Sequence, residues 1–277
     1  MRNKLWLKIV IAVVALGIVG AVAVPFVYIH FIKDDAPESV ESQGLPSRSS
    51  DTSGTTQATS ATTATTTAAT TAATTAATTA ETTAATTADS TATTAAAAGT
   101  VENYTLTMSD DVSVNYVGYR VVEVLFGQDT EGVGRTTSVT GSLTLDGAAI
   151  TAAEFTVDVA TMKSDENNRD NKFKGEIMET STFPTATFTI TQPIELGTVP
   201  ADGTEITATA TGDLTLHGVT KSVTLEVKAQ RNGDIIDVLG STNVLFADYG
   251  IDNPSNGAVT TQDNGTIEFL LTFTKAA

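Results

Sequence analysis

The chain has 277 residues, a formal net charge of −17 and no cysteine. Without cysteine there is no disulfide framework, no thiolate metal site and no acylated-cysteine anchor, although the compartment stays open. Residues 100–277 alone hold 10 Lys and Arg against 25 Asp and Glu, a net −15, and a surface of that sign repels phosphate, which argues against nucleic acid as a partner.

Residues 9–32 contain no Asp, Glu, Lys or Arg, and a helix of that length crosses about 30 Å of hydrocarbon. Arg2, Lys4 and Lys8 precede the run and Lys33-Asp34-Asp35 follows it. The positive-inside rule then puts the N-terminus in the cytoplasm and the rest of the chain outside the cell membrane. Ala21-Val22-Ala23 offers a small-residue cleavage site, the alternative of a removed signal peptide. The apolar run nevertheless continues to Ile32, beyond an ordinary signal core, which favours a retained single-pass anchor over residues 1–33. Pro25 would kink such a helix without stopping it from spanning.

Residues 34–99 turn to Ser, Pro and acidic side chains and then to Thr-Thr-Ala-Ala repeats, with no Leu, Ile, Val, Phe or Tyr after Leu45. Nothing in such a tract offsets the entropy of ordering, so a disordered stalk is expected, with an end-to-end distance of about 45 Å.

From residue 100 onward, apolar and polar residues alternate in short runs bounded by Gly, Asp, Asn and Pro, the pattern of strands with one buried face. The clearest runs carry Phe155, Val157 and Val159; Val223, Leu225 and Val227; and Ile267, Phe269, Leu271 and Phe273. Weaker runs cover residues 112–122, 137–145, 186–190, 206–216, 235–239 and 244–247. About eight or nine strands result, joined mostly by hairpin-sized gaps, which suits an antiparallel barrel or a sandwich. Alternation alone does not separate these two. One short helix is expected over 168–179, where Phe173 and Ile177 lie four apart and face the sheet together.

Chemistry-bearing motifs are sparse. His217 is the only histidine outside the apolar N-terminal run, and no Gly-x-Ser-x-Gly elbow accompanies it; between Leu216 and Gly218 it reads as a turn residue. The stretch 165–170 lacks the central glycine and terminal glutamate of a calcium loop. There is no phosphate loop, dinucleotide fingerprint or His-Glu-x-x-His. No catalytic residue, cofactor or metal is assigned, and the expectation is a protein that is not an enzyme.

Five ordered motifs do carry a resemblance: Gly118-Tyr119-Arg120-Val121; Val133-Gly134-Arg135-Thr136 leading to Val139-Thr140-Gly141; Arg169-Asp170 with Phe183-Pro184-Thr185-Ala186-Thr187-Phe188; the stretch from Gly212 through His217-Gly218 to Lys221; and Phe246-Ala247-Asp248-Tyr249-Gly250-Ile251. Together they resemble the YceI-like family. The resemblance implies a lipocalin-like antiparallel β-barrel of about eight strands with a long apolar ligand, such as an isoprenoid, in its interior. An eight-stranded barrel is wide enough for one such ligand. Its apolar pocket is expected from Phe155, Val157, Phe188, Leu214, Leu225, Phe246, Phe269 and Phe273, with Ala186, Ala208 and Ala210 leaving room. Arg169 and Asp170 either position a ligand headgroup or tie the helix to the sheet, and the second is favoured. The functional expectation is a membrane-anchored extracytoplasmic protein that sequesters or carries an isoprenoid or other long-chain amphiphile. Its rivals are a structural or adhesion module with a filled core and a carboxylate-dependent glycan hydrolase.

Overall fold

The computed structural model of the chain describes residues 36–48, 100–125, 127–257 and 259–277. The expected membrane anchor and the Thr/Ala tract beyond residue 48 lie outside these. Among the described residues no helix is long and apolar enough to cross a membrane.

The described strands are β1 (Val101–Leu106), β2 (Tyr116–Leu125), β3 (Gln128–Thr136), β4 (Val139–Asp146), β5 (Ala149–Asp158), β6 (Lys163–Ser164), β7 (Thr185–Ile190), β8 (Ile194–Glu195), β9 (Glu205–Leu216), β10 (Val219–Asn232), β11 (Ile235–Leu245), β12 (Val259–Thr261) and β13 (Asn264–Lys275). They pair antiparallel in the order β1-β4-β5-β7-β9-β10-β11-β13, and β13 returns to β1, which closes an eight-stranded barrel. One edge of β13 serves two partners. Its C-terminal part pairs with β1, Phe273 opposite Leu106, while Thr266 to Leu270 pair with β2. From there β2, β3 and β6 run on as a side ribbon.

Strand alternation sets the lining. On β13, Phe269, Leu271 and Phe273 are buried in the main core, as are Leu225 and Val227 on β10. The β9–β10 hairpin turns through His217 and Gly218, both with positive φ (51° and 75°), between the paired Leu216 and Val219. That is the two-residue turn whose twist matches the strands it joins. The expected helix is α2 (Asn167–Lys172) continued by a π turn over Phe173–Ile177. Phe173 and Ile177 both pack on the core, so their spacing was a sound signal. Asp170 is buried and accepts hydrogen bonds from Ser164 N and Oγ, each at 2.8 Å, which fixes the start of the helix.

The stalk assignment needs correction over residues 36–48, which pack as a strap on the outer wall of the barrel. The strap contains a single helical turn, α1 (Val40–Gln43). Its Val40, 1% exposed, and Leu45 cover Tyr116, Leu239 and Leu270 on the outward faces of β2, β11 and β13. Two buried carboxylates sit beside this patch. Glu268 receives Arg135 at 3.1 Å, Arg120 at 3.5 Å and the Val40 amide at 3.4 Å. Asp237 receives Arg48 through Nε at 2.5 Å and Nη2 at 2.8 Å, together with the Thr272 hydroxyl at 2.8 Å. Arg120 and Arg135 also donate to the strap carbonyls of Pro37 and Glu38, both at 2.6 Å. The strap's own composition, with only Val40 and Leu45 as large aliphatic side chains among polar, Pro and Gly residues, is that of a linker. What orders it is the complementary wall, where outward positions that face solvent in an ordinary barrel are Leu, Tyr and paired charge.

Candidate functional site

The barrel interior holds two apolar chambers stacked along its axis. The larger has a volume of about 510 Å³ and the smaller about 120 Å³. Three strands show the stacking residue by residue. β13 gives Ile267 to the larger chamber and Leu271 and Phe273 to the smaller; β9 gives Leu214 and Leu216 to the larger, Ala208 and Ala210 to the smaller; β10 gives Val223 to the larger, Val227 and Ala229 to the smaller.

Of the eight residues expected to form a pocket, Phe155, Val157, Phe188, Leu214, Leu225, Phe246 and Phe269 line the larger chamber. Phe273 lines only the smaller one. Ala186 opens onto the larger chamber, Ala208 and Ala210 onto the smaller. Alternation did not reveal the lining supplied from outside the barrel ring. Tyr119 on β2 stacks on Phe173 with centroids 4.6 Å apart and planes 11° apart. Burial pushes the Tyr119 hydroxyl above the ordinary tyrosine range, so it stays protonated. Ile177 and Met178 follow from the π turn, and Met162 from the segment ahead of the helix. The expected strand over 244–247 stops at Leu245, and Phe246–Tyr249 is a 3₁₀ turn closed by Gly250 in the left-handed region. It ends β11 and brings Phe246 and Ile251 to the chamber wall.

Two glycines shape the wall. A Cβ on Gly212 would lie 2.6 Å from the Phe188 ring, and one on Gly240 would lie 2.7 Å from the Phe269 ring. Both rings therefore rest on bare backbone of a neighbouring strand, and any side chain there would force them inward.

The mouth of the larger chamber carries the polar groups. Arg169 pairs with Glu123 on β2 at 3.2 Å and with Asp165. Burial works to lower the Arg169 pKa, and the charges of Asp165 and Glu123 more than offset it, so the guanidinium stays charged. Arg169 thus ties the helix to the sheet and also lines the chamber. Lys172 donates to the Pro254 carbonyl at 2.9 Å. Both lining cations are already partnered, and Glu123 and Glu166 are the lining carboxylates. Arg120 and Arg135 lie on the opposite side of the wall, under the strap. His217 keeps its turn role: Nδ1 faces the Tyr249 carbonyl at 3.2 Å and the ring meets Phe183 edge-on at 4.6 Å.

Comparison with known proteins agrees with this architecture. The family model described as "YceI-like domain" matches residues 111–273. A UPF0312 protein of Vibrio vulnificus strain YJ016 is 30% identical over 156 residues, covering 52% of this chain and 71% of the relative. Protein YceI of Escherichia coli O157:H7 is 39% identical over 97 residues, covering 34% of this chain and 47% of that one. Among solved structures, a polyisoprenoid binding domain from Saccharophagus degradans, described as implicated in plant cell wall breakdown, superposes with a TM-score of 0.50 at 18% identity. The superposition covers 62% of this chain and 98% of the other, and at that identity it speaks to the fold.

Proposed function

The chain belongs to the YceI-like family, and from that premise we propose that it binds an isoprenoid or similar long-chain amphiphile inside the barrel. The carrying observation is the apolar chamber of about 510 Å³, space that a structural module with a filled core has no use for. A cavity of about 150 Å³ lined by Leu, Ile and Phe holds a benzene molecule, or roughly 25 Å³ per carbon, so the larger chamber accommodates on the order of twenty carbons. Burying even half of that chain, about ten methylene equivalents at roughly 0.8 kcal/mol each, supplies about 8 kcal/mol, the free energy of micromolar binding before ordering costs. The polar end then rests at the mouth. Because Arg169 and Lys172 already have partners, an uncharged head suits this mouth better than a diphosphate.

The role is binding without turnover: sequestering or carrying the chain, not cleaving it. In this proposal residues 9–32 hold the protein in the cell membrane with the barrel on the extracytoplasmic side, supported by the uncharged run and the flanking Arg2, Lys4 and Lys8. The test is solvent extraction of purified full-length protein followed by mass spectrometry. Stoichiometric recovery of a long-chain lipid is expected. Empty protein that also fails to take up prenyl alcohols added from solution would end the proposal.

A further inference from the structure

The two chambers meet at a common wall. Phe155 on β5, Phe188 on β7, Leu225 on β10 and Phe269 on β13 line both. Phe155 is the centre of this group, its ring 5.6 Å from that of Phe188 and 5.7 Å from that of Phe269. The first pair sits in direct register across β5 and β7. The second reaches between strands that are not neighbours in the barrel order, so Phe155 spans the lumen. Behind the outer two rings lie Gly212 and Gly240, with backbone and no side chain; the rings already lie against the wall and have no deeper seat to withdraw into.

Beyond this partition the barrel does not end. The smaller chamber, about 120 Å³, is bounded by Leu143, Ile150, Ala208, Ala210 and Phe273. At about 25 Å³ per carbon it takes on the order of five carbons, one isoprene unit, against about four units in the larger chamber.

Resting on the proposed lipid-binding reading, we propose that Phe155, Phe188 and Phe269 form an aromatic septum that sets the length of chain the barrel accepts. Up to about four isoprene units, each added unit finds apolar wall; the next meets the septum and stays outside. The chamber below the septum is the reserve that a longer chain enters only when Phe155 moves. Length selection of this kind depends on one side chain per strand at a single level of the barrel, so it is separable from affinity for the head.

The experiment measures binding of prenyl alcohols of about three to eight isoprene units to delipidated full-length protein by native mass spectrometry with calorimetry, locating the length at which affinity stops rising. In the parent, binding is expected to strengthen by at least about tenfold per unit up to the limit and then level off. Phe155→Ala joins the chambers, and its limit should move up by about one to two units. Adding Ala208→Phe to Phe155→Ala refills the lower chamber and should return the limit to the parental length. Thermal denaturation identifies folded variants; if Phe155→Ala does not fold, Phe155→Leu serves with a smaller shift. An unchanged limit in a folded variant, or a parent whose affinity keeps rising through the whole series, overturns the septum while leaving lipid binding intact. A parent that binds no member of the series overturns both.

Discussion

Removing the Arg48 guanidinium while leaving its strap in place is the sharpest test of how the outer wall is held. Asp237 is 0% exposed and Arg48 30% exposed at the side chain, with two hydrogen bonds between them at 2.5 and 2.8 Å. That hydrogen bonding raises the Arg48 pKa, so the guanidinium stays charged. Taking one partner from a buried pair costs about 3–5 kcal/mol, and partial exposure of Arg48 puts this case at the lower end. The loss also has a ceiling. Val40 and Leu45 contribute about 1.5–3 kcal/mol each on burial, less than ordering the strap costs at about 1–2 kcal/mol per residue. Docking therefore depends on the Arg48 pair and the other polar contacts of the strap, and its net is small. Once Asp237 is orphaned, the strap lifts and water reaches the carboxylate before the full penalty is felt. Arg48→Met should thus lose about 2–3 kcal/mol, a drop of roughly 5–10 °C in midpoint for a domain of this size. Circular dichroism melts of the parent, Arg48→Met and a protein beginning at residue 49 would measure it. The truncated protein should be at least as destabilised as Arg48→Met. Replacing both partners, Arg48→Met with Asp237→Leu, should recover more than half the loss. A midpoint for Arg48→Met within about 1 °C of the parent would refute the pair's role, and a loss greater than truncation causes would refute the ceiling.

Deleting residues 50–98 should leave the midpoint unchanged, since that tract contains no core-forming side chain; a fall of several degrees would show that it packs on the barrel. Gly240→Ala should push the Phe269 ring into the lumen. Because the ring has open space to enter, stability should fall by no more than about 1–3 kcal/mol, while retention of extracted lipid drops several-fold; full retention would contradict the wall geometry. On β1, Glu102 accepts from Lys275 Nζ at 2.6 Å and from the Tyr104 hydroxyl at 2.8 Å. These bonds, Lys275 first, hold its pKa below the ordinary value of 4.5. The unfolded chain takes up that proton first, so the stabilisation is fully present above the ordinary glutamate value and is lost as pH falls through the lowered one. Urea unfolding of Glu102→Gln across acidic pH should therefore show a flatter loss than the parent, and identical slopes would dismiss the contribution.

Much of the barrel was readable because its strands obey one rule, apolar in and polar out, and seven of the eight expected pocket residues lie on such strands, Phe246 on the 3₁₀ turn after β11 being the exception. Where the sequence was silent, a different force acts. β3, with its Gln, Asp, Thr, Glu and Gly, shows no apolar–polar alternation because its buried positions are filled by Gly132, Gly134 and Thr136, with Val133 the one large apolar side chain among them. The separate runs at 235–239 and 244–247 share one strand, β11, as far as Leu245, and its middle carries Gly240 to make room for an aromatic ring. The strap left its trace on its receptor instead of itself: Leu239 beside Val238, and Leu270 between Phe269 and Leu271, break the alternation where a wall is covered from outside. Division of the lumen was not legible, because whether two phenylalanines touch across a barrel depends on shear and closure, which no local pattern encodes.

Arg48 and Val101 are both fixed on the barrel, and this changes the mechanics of a proposed tether. A linker in series lengthens a leash; a linker whose two ends are clamped to one body adds nothing to it. With the strap docked, only residues 33–35 separate the proposed anchor from the clamp, a reach of at most about 14 Å even fully extended. Released, the same chain places residues 33–100 in line, a contour of over about 200 Å. If the proposed anchor holds, release of the clamp that Arg48 helps to hold would act as a telescope, deciding whether the barrel stays close to the membrane or ranges far from it.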